Sequence, residues 1–277
     1  MNRRTGFLQE MGVGPVWKLR DTTHLPDMTA ASPQDVEHID DVIIQEDVFP
    51  QDDIPPMEDI PSHYFDQVPF EDETDAPVRA DVSRMNWEQL EETIAQCTAC
   101  GLCKGRTQTV PGVGDRKAAW LFVGEGPGFV EDQQGEPFVG PSGKLLDNML
   151  AAIGIKRGEN AYIANVVKCR PTDGGGQDRP PTPEEAKACK PYLDRQIALI
   201  QPKVIVALGR IASTNLLGTE PQTMLATLRG KAHTYTTQDG TNIPLIATYH
   251  PAYLLRQLSE KKKAWVDLCS AIRIISG

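Results

Sequence analysis

Residues 118–128 read AAWLFVGEGPG, and the stretch changes character at its middle. Through Val123 it is apolar without a break; beyond that, glycine alternates with glutamate and proline. A short apolar run without polar alternation leaves no face for water, as in a parallel-sheet strand covered on both sides. The glycines that follow mark an exit into a loop where backbone approaches a neighbour closely. Three further runs have the same form: 161–169 (AYIANVVKC), 203–209 (KVIVALG) and 244–251 (PLIATYHP). Helix-like segments lie around them. Residues 87–97 follow Ser83, a candidate cap, and residues 142–155 begin on Ser142. Residues 182–201 open on Pro183 with Glu184 and Glu185, a strong start signal, and residues 210–218 and 264–276 complete the set. This alternation predicts an α/β fold over residues 83–277: a three-layer α/β/α sandwich around a central, mostly parallel four-stranded sheet. In such sheets the working residues sit on loops after the C-terminal strand ends. Those loops here are GEGPGFVED (124–132), KCRPTDGGG (168–176), GRIAS (209–213) and HPAYLLR (250–256).

The charge is unevenly spread. The chain of 277 residues carries a formal net charge of -10, yet residues 33–77 hold fifteen Asp or Glu and neither Lys nor Arg. Residues 1–32 net +1 and residues 78–277 net +4. The acidity therefore belongs to one Pro-rich segment, and the remainder is mildly basic, which leaves nucleic acid open as a partner. Residues 21–82 are expected to form an acidic, Pro-rich, disordered linker. No apolar run approaches the ~20 residues needed to span a bilayer. The opening residues lack the apolar core of a secretory signal, so a cytoplasmic protein is expected. In that compartment thiols stay reduced, and the six cysteines read as ligands or core residues before disulfides.

Three cysteines crowd into CTACGLC, at Cys97, Cys100 and Cys103. A pair spaced two apart serves a redox dithiol, half a zinc site or half an iron–sulfur site. Cys169 at the end of the second apolar run and Cys189 in the following helix lie close enough to the sheet to complete a metal site. Cys269, on the last helix, reads as a core residue. The loop 124–143, GEGPGFVEDQQGEPFVGPSG, has the glycines of a phosphate loop or of a tight turn. It is neither a Walker A sequence nor GxGxxG, and Glu125, Glu131 and Asp132 argue against a polyanion held directly there. His250 at a strand end is a sharper functional signal. Tyr253, Leu254 and Leu255 after it either pack into the next helix or form an apolar wedge that enters a stack of bases.

The ordered motifs GEGPGxxED, PFVGPSGKLL, NVVKCRP, TPEEAKAC, VIVALG and HPAYLLR resemble the family 4 uracil-DNA glycosylases across residues 95–268, about two thirds of the chain. The resemblance implies a single α/β/α domain with a [4Fe–4S] cluster on Cys97, Cys100, Cys169 and Cys189. It leaves Cys103 outside the ligand pattern, which continues through Leu102 and Arg106. A four-thiolate zinc site has the same ligand count, so iron rests on the resemblance. The implied activity is hydrolysis of the N-glycosidic bond of uracil in DNA, after the base is flipped from the stack. Phe138 would stack on the flipped base. Asn165 would donate to uracil O4 and accept from N3–H, a pattern cytosine inverts. Glu131 would line the C5 side, and Gly126 stands where family 1 relatives carry a water-positioning Asp. Glu125 becomes the candidate for orienting water, with Asp132 an outside alternative. His250 would donate to uracil O2. Leu254 would be the wedge, and Arg256, Lys168 and Arg170 would meet DNA phosphates. Related variants that trap uracil-DNA covalently carry a basic loop near the second strand, where this chain has TDGGGQD.

Residues 3–20, RRTGFLQEMGVGPVWKLR, resemble the start of the psi subunit of bacterial DNA polymerase III, which binds the clamp loader. On that resemblance residues 1–20 are expected to dock on a replication partner, with the acidic segment, read from its composition, as the tether; the alternative is an appendage that packs on the catalytic domain. A second function class is a non-catalytic, replisome-tethered DNA-binding module of the same fold.

Overall fold

The computed structural model of the chain describes residues 81–276. The expected docking peptide, and all but the last two residues of the expected linker, lie outside these. The four apolar runs become four buried parallel strands. They are β2 (Trp120–Gly124), β3 (Ala161–Asn165), β4 (Val204–Leu208) and β6 (Asn242–Thr248). Two edge strands extend the sheet to six: β1 (Val113–Gly114) pairs antiparallel with β3, and β5 (Ala232–Thr236) antiparallel with β6. The order is β1-β3-β2-β4-β6-β5. The expected four strands are thus the parallel centre of a larger mixed sheet. The edges carry little apolar signal because β1 has two residues and β5 (AHTYT) buries Tyr235 alone.

Side chains alternate across a strand, so one apolar run feeds two cores. Leu121, Val123, Tyr162, Ala164, Ile205 and Ala207 face one layer, packed by α1 (Trp87–Ala95), α4 (Pro183–Ile200) and α5 (Arg210–Leu217). Trp120, Phe122, Ile163, Val206 and Leu208 face the other, packed by α3 (Pro141–Ala152), α7 (Pro251–Arg256) and α8 (Lys261–Ser276). The short helices α2 (Phe129–Gln134) and α6 (Leu225–Leu228) complete the described set. The chain leaves β2 toward the α3 layer and leaves β3 toward the α4 layer. A crevice therefore opens between the C-terminal ends of β2 and β3, where open α/β sheets bind ligands.

Caps account for the helix starts. Asn86, and not Ser83, caps α1: its side chain accepts from Gln89 N–H while Gln89 returns a bond to Asn86 N–H. Ser83 donates its N–H to Asp81 instead. Thr182 and Glu185 form the same reciprocal box on α4, and Arg179 grips Glu185 from outside at 2.7 and 2.8 Å. Gly140 is the N-cap of α3 and Pro141 its first residue, one turn position ahead of Ser142.

Candidate functional site

Four groups from four segments meet at the β2–β3 crevice. Gly124 ends β2 and Asn165 ends β3, paired in register. Phe138 comes from the loop before α3, and His250 follows β6. A Cβ on Gly124 would lie 2.4 Å from Asn165 Oδ1 and 2.5 Å from Phe138 Cζ. The absence of a side chain there is what lets the amide and the aromatic ring share one space. Phe138 is buried, with its ring centroid 5.4 Å from that of His250. It holds a left-handed backbone, φ 56°, uncommon for a bulky residue. Arg157 fastens this conformation by donating to the Pro137 and Phe138 carbonyls at 3.0 and 2.8 Å, and it is itself paired with Asp147. Nothing local in the sequence points to Arg157, which lies nineteen residues from Phe138.

Two polar side chains of the crevice are held in defined states. Asn165 is buried, and its Oδ1 has no hydrogen-bond partner. An unpartnered buried acceptor costs on the order of 1–3 kcal/mol, and a bound donor recovers that cost. His250 caps α7, its Nδ1 accepting from Ala252 N–H at 3.2 Å. With Nδ1 occupied as an acceptor, the neutral ring carries its proton on Nε2. Burial, assisted by the Arg256 charge, pushes the imidazole down to about 4, so the ring is neutral at physiological pH. Beneath it, Thr248 donates to the buried Asp267 at 2.8 Å. Arg229 forks onto the same carboxylate at 3.0–3.1 Å and stacks under Tyr249. That brace fixes the strand end from which His250 projects, and its members lie too far apart in sequence to be read as a unit.

Glu125 follows Gly124 on the loop, its carbonyl accepting from Val167 N–H at 3.2 Å. Burial raises its carboxyl, and nearby Arg210 opposes the rise. At Gly126 a Cβ would meet Val167 Cγ2 at 2.8 Å, so this loop lies tight against the extension of β3. The Glu131 carboxylate reaches back over the loop: a Cβ on Gly128 would be 2.9 Å from its Oε2, and one on Gly140 3.8 Å from its Oε1. Asp132 is structural. It is buried, and both oxygens accept the Thr107 N–H at 3.0 Å, which removes it as a candidate for orienting water.

A second pocket lies on the α1–α4 side of the sheet, lined by Cys97, Cys100, Cys103, Cys169 and Cys189 together with Arg106, Lys168 and Tyr192. The N–H donors around it point at sulfur: Ala99 to Cys97 at 3.4 Å, Lys168 to Cys189 at 3.3 Å, and Arg106 to Cys169 at 3.3 Å. Arg106 also binds the Cys97 and Ala95 carbonyls, tying the end of α1 to the β3 loop. Burial raises the Cys100 and Cys169 thiols and pushes Cys189 up to about 12, so a cation must displace their protons for them to serve as thiolates. Among the described residues no three His, Cys, Asp or Glu side chains are grouped closely enough to hold a single metal ion. Cys269 is half-buried on α8, away from this pocket.

The residues expected at DNA divide. Lys168 does not face solvent: it is 1% exposed, and its Nζ donates to the Asn165 carbonyl at 2.8 Å. Leu254 is likewise 1% exposed, packed in the α3–α8 core, because the α7 turn directs it inward. Its neighbours Tyr253 and Leu255 are exposed instead, with Tyr253 stacked on Tyr249 at 5.0 Å. Arg170 is held by Asp178 and the Gly176 carbonyl, its guanidinium 5.0 Å from the exposed Phe129 ring. Arg256 is exposed on the last turn of α7.

The site is an open α/β sheet that groups a buried aromatic ring, an unpartnered amide and a neutral imidazole at its C-terminal strand ends. The uracil DNA glycosylase superfamily model matches residues 111–269. A type-4 uracil-DNA glycosylase of Archaeoglobus fulgidus is 47% identical over 171 residues, 61% of this chain and 82% of the relative. Those of Pyrobaculum aerophilum and Sulfurisphaera tokodaii are 41% and 43% identical, covering 92% and 75% of their lengths and 66% and 61% of this chain. The chain belongs to the uracil-DNA glycosylase superfamily, and within it to the type-4 group.

Proposed function

We infer that this protein removes uracil from DNA, leaving an abasic site for base excision repair. The observation that carries the reading is Asn165 Oδ1, buried and unpartnered between Phe138 and Gly124. Uracil N3–H supplies the missing donor, and the amide NH2 donates to O4. Cytosine offers a bare N3 and a 4-amino group, and would leave two buried groups facing like partners. Phe138 stacks on the flipped ring. In the reaction the C1′–N1 bond breaks and its electron pair stays on uracil, with charge reaching O2. The neutral His250, protonated on Nε2, donates a hydrogen bond to that oxygen. One preorganised donor of this kind is worth about 3–4 kcal/mol. Water, oriented by Glu125 at the β2 exit, adds to C1′, and the proton it releases ends on the departing uracil anion. Glu131 lies where the C5 edge of the base would sit and limits bulk there.

Cys97, Cys100, Cys169 and Cys189 are the ligands we assign to a [4Fe–4S] cluster. Four thiols around one pocket, each with an N–H donor or a raised pKa that a metal would reverse, support it. The cluster would supply a structural clip between α1, the β3 exit and α4. Tyr253 and Leu255 take over the wedge role expected of Leu254, and Arg256 is retained for phosphate contact. The docking of residues 3–20 on a clamp-loader component rests on their sequence resemblance, and the tethering role of residues 21–82 on their acidic, Pro-rich composition. A pull-down with residues 1–25 fused to a carrier tests it, and retention of no clamp-loader component sinks it. No helix among the described residues is long and apolar enough to cross a membrane.

A single-uracil oligonucleotide separates the function classes. An abasic product supports the glycosylase. A stable protein–DNA adduct would mark a covalent trap, and bound but intact DNA would mark a non-catalytic module.

A further inference from the structure

The β2 and β3 exit loops touch at several points. A Cβ on Gly126 would meet Val167 Cγ2 at 2.8 Å and Pro171 Cγ at 3.3 Å, and one on Gly128 would lie 3.5 Å from Asp178 Oδ2. Phe129 and Arg170 belong to the same two loops and continue the contact, with the guanidinium carbon over the ring, 5.0 Å from its centroid. Arg170 is held in place. Its Nε donates to Asp178 at 2.5 Å, its Nη2 donates to the Gly176 carbonyl at 3.1 Å, and its side chain is 14% exposed. Phe129 is 57% exposed, opens α2 and stands two residues ahead of Glu131. A large apolar side chain left in water forgoes the burial that a core position gives it. This one has a fixed planar cation over it and much of its remaining surface open to solvent. Asp178 offsets the Arg170 charge, so the guanidinium serves better as a rigid backing for the ring than as a phosphate contact. A DNA strand with its uracil in the Asn165 crevice continues past the rim that these loops form. The occupant such a surface fits is a nucleobase, which is flat and extends a guanidinium–ring stack. In a duplex the neighbours of the flipped base stay paired and stacked, out of reach of a ring at the rim. In a single strand they are free to turn onto it. We propose that Phe129, backed by Arg170, is a stacking platform for an unpaired base next to the uracil, and that it gives single-stranded substrate an affinity that duplex substrate does not receive. The proposal rests on the functional reading above and names the form of DNA that the platform serves.

The test compares the full-length wild type with Phe129→Ala, Phe129→Leu and Phe129→Trp on single-uracil oligonucleotides, single-stranded and duplex. On the single strand, Phe129→Ala is expected to lower kcat/KM about 5–150-fold, the range for loss of one stacked base, mostly through KM. On the duplex, kcat/KM should stay near wild type. Phe129→Trp should keep single-strand activity and Phe129→Leu should lose it, because leucine restores apolar area but no flat face. An abasic spacer placed immediately upstream or immediately downstream of the uracil tells which neighbour stacks. One of the two spacers should cost the wild type about as much as Phe129→Ala does, and should cost Phe129→Ala nothing further. Equal losses on single strand and duplex, additive losses from spacer and substitution, two spacers without effect, or full single-strand activity in Phe129→Leu would overturn the proposal. So would loss of iron or of cooperative melting in Phe129→Ala and Phe129→Leu alike, which would make the role of the ring structural. A wild type that makes no abasic product from either form would instead remove the functional reading itself. Affinity for a uracil-free single strand then decides on the platform alone: a loss in Phe129→Ala supports it, and an unchanged affinity overturns it.

Discussion

The two sites meet at the exit of β3 and follow opposite rules. At the end of the strand, Asn165 keeps an acceptor free, Gly124 keeps a volume open, and His250 keeps its Nε2 proton free to donate. Four residues further on begins the cysteine site, where the sulfurs of Cys169, Cys189 and Cys97 accept from Arg106, the Lys168 N–H and the Ala99 N–H. A site that receives and releases a ligand carries unmet valence and steric room. A site that fastens the chain has its atoms already engaged and joins segments far apart in sequence.

Breaking the fastening side should have the larger effect. Cys169→Ala is expected to yield colourless protein without cooperative unfolding, by iron analysis and thermal melting, since a structural metal site contributes on the scale of a whole domain's stability. Breaking the receiving side should spare the fold. Asn165→Ala and His250→Ala should each lower kcat/KM about 10²–10³-fold while iron content and melting temperature hold. Gly124→Ala probes the volume rather than a polar atom. With a Cβ placed 2.4 Å from Asn165 Oδ1, a tenfold or greater loss of kcat/KM is expected, with the cluster retained.

Acid sharpens the contrast further. His250 sits at about 4 in the folded chain, against about 6.5 for a free imidazole. Between those values the unfolded chain binds a proton that the folded chain refuses. The stability held by the neutral ring is complete above pH 6.5 and is lost as pH falls toward 4, by about 3.5 kcal/mol at most, at ~1.4 kcal/mol per pKa unit. His250→Gln should flatten that part of a urea-derived stability curve, and wild-type activity should survive until the ring protonates. The smallest effect is expected at Cys103, which lines the cysteine pocket outside the ligand set. Cys103→Ala should leave iron content unchanged.

The parallel centre of the sheet was legible because its strands bury both faces and read as unbroken apolar runs. The edge strands were not: β5 exposes alternate residues and β1 is two residues long. At the site, His250 stood out by residue type and place at a strand end and the cysteines by their spacing, whereas Asn165 was reached only through the family resemblance. Lys168 and Leu254 were misplaced for a shared reason. A loop sequence shows which side chains are basic or apolar but not which way a turn points them. Here the β3 exit folds Lys168 under Asn165, and the first turn of α7 rotates Leu254 into the core while presenting Tyr253 and Leu255. Arg157 and the Asp267–Arg229 brace act across nineteen and thirty-eight residues, and no local pattern records such pairings.

The central claim is that recognition and fastening are separate devices, one at the end of β3 and one at the loop beyond it. One preparation of Asn165→Ala, assayed for iron per chain and for abasic product from a single-uracil oligonucleotide, tests it most directly. The account predicts wild-type iron content with cleavage reduced at least a hundredfold. Full cleavage with iron retained, or loss of iron together with activity, would contradict it.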